Sequence, residues 1–237
     1  MSVRKLLLLG ALLVSCGGSG VSDASVPDSA LPDAGVEVAF SMRIFECPAG
    51  ANLANVPVDV RALANPTTPL TNATSDASGL VEFRLVPPGG RLFLHGELPG
   101  YRDANFFPDD FIQADPSVLR PGSMCLTPRA LVDQFFADTA LAAAAGTGIV
   151  IIKMLDPMLA RVPGTVTVSP PGVIVYGVAP DDAWDTSAEM SDSGIAYVAN
   201  VPEGAISVTA TSGTETLVAD AWSFDDAIIG VNFRFGL

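Results

Sequence analysis

The chain of 237 residues holds one histidine, His95, and three cysteines, Cys16, Cys47 and Cys125, beside 26 acidic residues. Any site chemistry must be drawn from that short set. His95 is the sole imidazole available for general acid–base work, and it sits in the alternating run Leu92-Phe93-Leu94-His95, which reads as a surface strand position. A Gly-x-Ser-x-Gly elbow, a His-Glu-x-x-His pair, a Gly-x4-Gly-Lys loop and a Cys-x-x-Cys pair are all absent from the sequence. The hydrolase and nucleotide-binding templates therefore fail, and no catalytic residue is assigned. Two cysteines with one histidine make an incomplete zinc set, so no metal site is assigned either. The acidic pairs Asp109-Asp110, Asp181-Asp182 and Asp225-Asp226 supply oxygens that could ligate calcium or, as an enzymatic alternative, form a carboxylate dyad for hydrolysis. Adjacent acids in loops are ordinarily just solvated. Of the aromatic residues, Tyr176 reads as core. Trp184 is the exposed candidate for stacking on a sugar ring, with Asp181, Asp182 and Asp185 beside it as polar partners.

The elements that must position these residues begin with an address. Arg4 and Lys5 precede the apolar run Leu6 to Val14, which is long enough for a signal-peptide core. It falls well short of the ~20 residues a membrane span needs, and Gly17-Gly18-Ser19-Gly20 follows at once. The segment Leu13-Val14-Ser15-Cys16 resembles the lipobox of bacterial lipoprotein precursors. That resemblance implies cleavage between Ser15 and Cys16 and a diacylglycerol thioether on Cys16, with the membrane as partner through the lipid. Several acyl chains, at about 0.8 kcal/mol per buried methylene, hold where one chain would not. Gly17, where the family uses Asp for inner-membrane retention, implies the outer membrane, on its periplasmic face or at the cell surface. Residues 16–35 carry Asp23, Asp28 and Asp33 without aromatics or periodicity, the composition of a tether spanning ~25 Å on average. With 12 basic against 26 acidic residues and a net charge of −14, binding to nucleic acid or to an anionic lipid surface by a basic patch is excluded.

From Val36 the pattern becomes strict alternation, and a phrase found at Ser75-Asp76 to Gly89 returns as Ser191-Asp192 to Gly204. Each copy has a serine-aspartate turn, a glycine (Gly79 or Gly194), a strand, Pro-x-Gly (Pro87 or Pro202) and a second strand. The repeat extends back to Ala54-Asn55-Val56-Pro57 and Ala160-Arg161-Val162-Pro163, and each copy opens with an apolar strand, Phe40 to Phe45 and Ile149 to Leu155. These residues, with the closing Gly100-Tyr101 of the first copy, resemble carboxypeptidase regulatory-like domains. The second copy departs from the pattern, with Ser212-Gly213-Thr214 in place of Gly-Tyr. The resemblance implies a mainly β fold of two tandem transthyretin-like or Ig-like sandwiches and says nothing of activity. The expected organisation is a signal peptide over 1–15, the lipidated tether over 16–35, sandwiches over 36–128 and 148–237, and a linking helix over 129–147.

The helix is expected from Arg129 to Ala145, capped by Thr127 with Pro128 at its first position and ended by Gly146 and Gly148. Leu98 to Met124, with Phe106, Phe107 and Phe111, reads as a lid over the first core, with a binding surface as the alternative. Ile229, Val231, Phe233 and Phe235 read as the last core strand of the second copy. With Cys16 lipidated and the chain exported, Cys47 and Cys125 are expected to pair in a disulfide. The function these readings imply is a membrane-anchored envelope lipoprotein acting as a noncatalytic binding or structural module, with no cofactor unless calcium sits on the acidic loops. Its expected partner is a glycan or an envelope protein; a surface carbohydrate-binding module is the alternative. Oligomeric state is not legible.

Overall fold

The computed structural model describes residues 37–86, 91–107, 122–178 and 183–236, and all statements of structure below concern these. The chain is mainly β, with one helix among the described residues. The first half contains β1 (Val38–Glu46), β2 (Pro57–Ala62), β3 (Asn65–Thr74), β4 (Leu80–Leu85), β5 (Leu92–Gly96), β6 (Asp103–Phe107) and β7 (Gly122–Leu126). Helix α1 (Arg129–Thr139) follows. The second half contains β8 (Thr147–Leu155), β9 (Thr165–Ser169), β10 (Val173–Val178), β11 (Ala183–Asp185), β12 (Ile195–Pro202), β13 (Gly204–Ser212), β14 (Glu215–Ser223) and β15 (Ala227–Arg234).

The repeat read from the sequence reappears as a repeat of pairing. In the first half β1 lies between antiparallel β4 and parallel β7; in the second, β8 lies between antiparallel β12 and parallel β15. The register matches too, since Met42 faces Val81 and Ile152 faces Ala196. Ile44 donates its amide to Gly79 at 2.7 Å, and Met154 donates to Gly194 at 2.9 Å. Leu53 and Val162 then return bonds to the carbonyls of Ile44 and Met154, both at 3.0 Å. Gly79 and Gly194 both take positive φ, 76° and 73°, and a Cβ on Gly79 would stand 2.5 Å from the Ile44 carbonyl. Glycine is the residue that adopts this conformation and close approach without strain. Ser75 and Ser191 are both buried: Ser75 Oγ accepts from Val56 N and donates to Leu53 O, while Ser191 Oγ accepts from Ile195 N and donates to Gly177 O. Pro87 and Gly89 of the first copy lie outside the described residues.

Three sheets result, ordered β4-β1-β7, β14-β13-β9 and a nine-stranded β11-β10-β12-β8-β15-β6-β5-β2-β3. The long sheet exists because β15 pairs in parallel with both β8 and β6, Ile229 facing Val150 on one side and Asn105 on the other. The expectation that β15 closes the second core is met, and β15 also joins the halves. Side chains that alternate along a strand point to opposite faces. On β5, Leu92 and Leu94 therefore enter the first core with Met42, Val58, Phe83 and Met124. Phe93 enters the second, with Ile152, Val208 and Ile229. Phe107 does the same from β6 and stacks on Phe93 with ring centroids 4.7 Å apart. Of the segment expected as a lid, 103–107 and 122–124 lie in strands, and Phe111 lies outside the described residues.

The helix is shorter than expected. Ala140 turns left-handed at φ 56°, Leu141 N bonds back to Phe136 O at 3.1 Å, and Thr139 Oγ1 donates to Phe135 O. This C-terminal closure satisfies the last carbonyls, with Leu141 packing beside Phe136 on one cluster, so α1 ends before the glycines are reached. Asn200 holds the following loop, donating Nδ2 to Ala142 O and accepting at Oδ1 from Ala144 N. The N-cap position is Pro128, without a side-chain cap from Thr127. Val132 and Phe135 of α1 pack on Ile149, Val175, Tyr197 and Ile228.

Candidate functional site

On the face of the long sheet that carries α1, a cleft opens beside β7. Its floor is the run β8-β15-β6, and its walls include the Cys47–Cys125 disulfide, Phe106, Lys153, Tyr197 and Asn232. The cleft forms because the first half covers this face over β5 and β6 with β4-β1-β7, the second covers it over β8 and β12 with α1, and the two covers do not meet. Gly230 keeps the floor low, with a Phe106 ring carbon only 3.2 Å from where a Cβ would stand. The volume is about 90 Å³, room for roughly three waters at ~30 Å³ each and well short of the ~300 Å³ at which sites for drug-sized ligands begin. It suits the tip of one side chain or a small polar group, with basic Lys153 and Arg161 among its lining in an otherwise acidic chain.

The expected disulfide is present, Cys47 to Cys125 with Cα atoms 5.4 Å apart, and it closes 78 positions of chain. It ties the end of β1 to β7, whose Phe45 and Cys125 are register partners. Beside it Tyr101 donates its hydroxyl to Glu46 Oε2. That bond to a carboxylate, with burial second, pushes the phenol up to about 12. The Gly-Tyr ending of the first copy thus ties down the end of β1.

Where α1 begins, charges cross from half to half. Asp226, in a left-handed turn at φ 57°, is ion-paired with Arg102 and, at 2.6 Å, with Arg129 Nη1. Asp133 stands 3.7 Å from Arg102. Desolvation, then the neighbouring Arg129, lowers the Arg102 pKa. Asp225 accepts the Gly146 and Thr147 amides at 2.9 and 3.1 Å. The pair Asp225-Asp226 therefore serves the junction, and both its carboxylates are engaged there.

The other residues singled out from the sequence are scattered. Trp184 departs from expectation: it is half-buried, its ring meeting Phe135 edge-on at 5.2 Å and Tyr197 at 6.4 Å, and its Nε1 is buried without a partner. The cause is α1, whose Phe135 packs against the ring. Asp185 Oδ1 accepts from Ser187 N, Ser187 Oγ and Ala188 N, which holds its carboxyl below the usual carboxylate range. Its visible work is to shape a turn. Asp181, Asp182, Asp109 and Asp110 lie outside the described residues, as do Ser15 and Cys16. Tyr176 is core, as expected, its hydroxyl accepting from Val166 N. His95 departs from a surface reading, being half-buried with Nδ1 3.0 Å from Asn105 Oδ1 and its ring 6.5 Å from that of Phe224. Phe93, Phe107 and Arg102 were not singled out as junction residues. A signal for them exists in unbroken apolar runs such as Leu92-Phe93-Leu94, the mark of a strand covered on both faces.

No protein-family model and no curated protein sequence matches the chain. Solved structures with a similar arrangement include the Bacillus anthracis TIE protein, 12% identical, with 84% of this chain and 34% of that chain covered at a TM-score of 0.28. A Streptococcal ancillary pilin is 10% identical, covering 84% of this chain and 62% of its own at 0.26. A double mutant of the shaft pilin SpaA from Lactobacillus rhamnosus GG is 11% identical, covering 85% and 99% at 0.26. The chain thus spans a third of the first and under two thirds of the second. At these TM-scores the likeness carries no argument about function.

Proposed function

We propose that this chain is an envelope lipoprotein, cleaved between Ser15 and Cys16 and held by lipid on Cys16 at the outer membrane. In this reading its body is a pair of regulatory-like sandwich units, over 36–128 and 148–237, working as a noncatalytic structural module that presents a surface beyond the tether of residues 16–35. The observation that carries the structural part is the junction: β15 pairs with β6, Phe93 and Phe107 of one half lie in the core of the other, and Asp226 is ion-paired with Arg102. Two units that share a sheet and a core transmit position without a hinge, which suits a spacer or scaffold. The anchor rests on Leu13-Val14-Ser15-Cys16 alone.

The test is metabolic labelling with palmitate in cells expressing the full chain, followed by membrane fractionation. Label on the wild type in the outer-membrane fraction, and its loss in Cys16→Ala with the precursor left uncleaved, is the expected result. An unlabelled wild type, or a labelled Cys16→Ala, overturns the anchor. Turnover of a peptide or polysaccharide by the purified chain, abolished by Asp225→Asn with the fold intact, overturns the noncatalytic part.

A further inference from the structure

The hairpin β5–β6 carries a constellation that the junction does not use. Its register pairs His95 with Asn105 and Gly96 with Ala104. Continued by one step, the same ladder sets Glu97 opposite Asp103, on the face that carries His95. One ligand atom from each of His95, Glu97 and Asp103 lies within 4.8 Å of the others. Like charges directly opposite across a ladder are destabilising, and neither carboxylate joins a salt bridge among the described residues.

A second observation points the same way. Asn105 is only 1% exposed, and its Nδ2 is buried without a hydrogen-bond partner. An unpaired buried amide costs ~1–3 kcal/mol, so what the residue contributes lies in its oxygen, 3.0 Å from His95 Nδ1. An amide oxygen only accepts, so Nδ1 must donate and the imidazole lone pair falls on Nε2. A polar group that fixes tautomer and ring orientation through the other nitrogen is the usual support of a metal-ligating histidine.

We propose that His95, Glu97 and Asp103 bind one divalent transition-metal ion, with Asn105 as the positioning residue. One imidazole with two carboxylates suits zinc, manganese or ferrous iron, whereas calcium and magnesium take oxygen donors. Three protein ligands leave coordination positions open to water or to a donor from a partner. Ligand atoms around one such ion, each ~2.0–2.2 Å from it, stand closer together than 4.8 Å, so binding draws the three side chains together.

Because His95 is the only histidine, its ring resonances report on the site alone. The experiment titrates zinc into the detergent-solubilised, tag-free full chain, reading calorimetric stoichiometry and the imidazole nitrogen shifts. One equivalent of zinc should move and saturate the Nε2 signal. Glu97→Gln and Asp103→Asn should each weaken binding by at least tenfold while the melting temperature of the metal-free chain stays near wild type. Asn105→Ala should leave the stoichiometry at one and weaken binding less than ligand loss. No imidazole shift at millimolar zinc overturns the proposal. Wild-type affinity in a folded Glu97→Gln, Asp103→Asn double variant does so equally. Displacement of zinc by an equal concentration of calcium overturns the choice of ion.

Discussion

The two halves build one framework and finish it differently. In the first, β3 stays beside β2, and the β4-β1-β7 sheet is closed by a disulfide and the Tyr101–Glu46 bond. In the second, β10 crosses to pair with β12, widening that sheet toward β11, and α1 packs over the result. Cys47 and Cys125 have no counterpart there. The β4-β1-β7 pairing of the first half survives as β12-β8-β15 in the second, because the buried Ser75 and Ser191 and the left-handed glycines 79 and 194 set the same turns. The third strand is the variable one: β3 lies at a sheet edge beside β2, whereas β10 lies between β12 and β11. A covalent staple in one half and a helical cover in the other are two ways to secure the same sheet.

The largest effect expected from breaking this comparison is loss of the staple. Cys47→Ser with Cys125→Ser should destabilise by about 4 kcal/mol on the chain-entropy account of a 78-position loop. Read by hydrogen exchange, β1 and β7 should lose protection before β10 and β11 do; uniform loss would mean that the halves unfold as one. Phe93→Ala should cost ~3–4 kcal/mol, within the range for buried phenylalanine. Although Phe93 belongs to the first half, exchange should rise in β9 and β13 of the second. Unchanged protection there would disprove a shared core.

Asn200→Ala should cost about 1 kcal/mol by releasing the loop bonds to Ala142 and Ala144. Its thermal shift should be small and confined to a chain whose helix content is unchanged by circular dichroism. Smallest in stability but clear by spectroscopy is Tyr101. Its folded pKa is raised to about 12, so what its protonated form contributes is present below the unfolded value near 10 and is lost as pH rises through about 12. Alkaline absorbance titration should show a late tyrosine step that is missing in Tyr101→Phe. A late step that persists would place the clamp elsewhere. At the acid end, Asp76, held low first by Ser78 and then by the Leu80 amide, should shift acid unfolding. As its folded pKa is depressed, its contribution is present above about pH 4 and fades as pH falls through the lower folded value. Asp76→Asn should therefore flatten the pH dependence of melting below 4, and an unchanged slope would exclude it.

Much of the local structure was legible in order. Alternation marked most strands, Ser-Asp and glycine spacing marked the repeat, and the expectation of an exported chain marked the Cys47–Cys125 pair. These are readable because turns and strand faces depend on residues a few positions apart. The site was less so. Trp184 looked exposed because nothing near it in sequence announces Phe135, and His95 looked ligand-poor because Asp103 comes to it only through the β5–β6 pairing.

By itself the sequence determined most of the strands and where each repeat turns. Tertiary structure alone decided that β15 would join two sheets into one, that Phe93 and Phe107 would serve the neighbouring core, and which carboxylates would meet an imidazole. The reason is physical: periodicity tells a strand how many faces to bury but not which distant edge will cover them. An open edge is satisfied by whatever backbone the packing of everything else brings alongside.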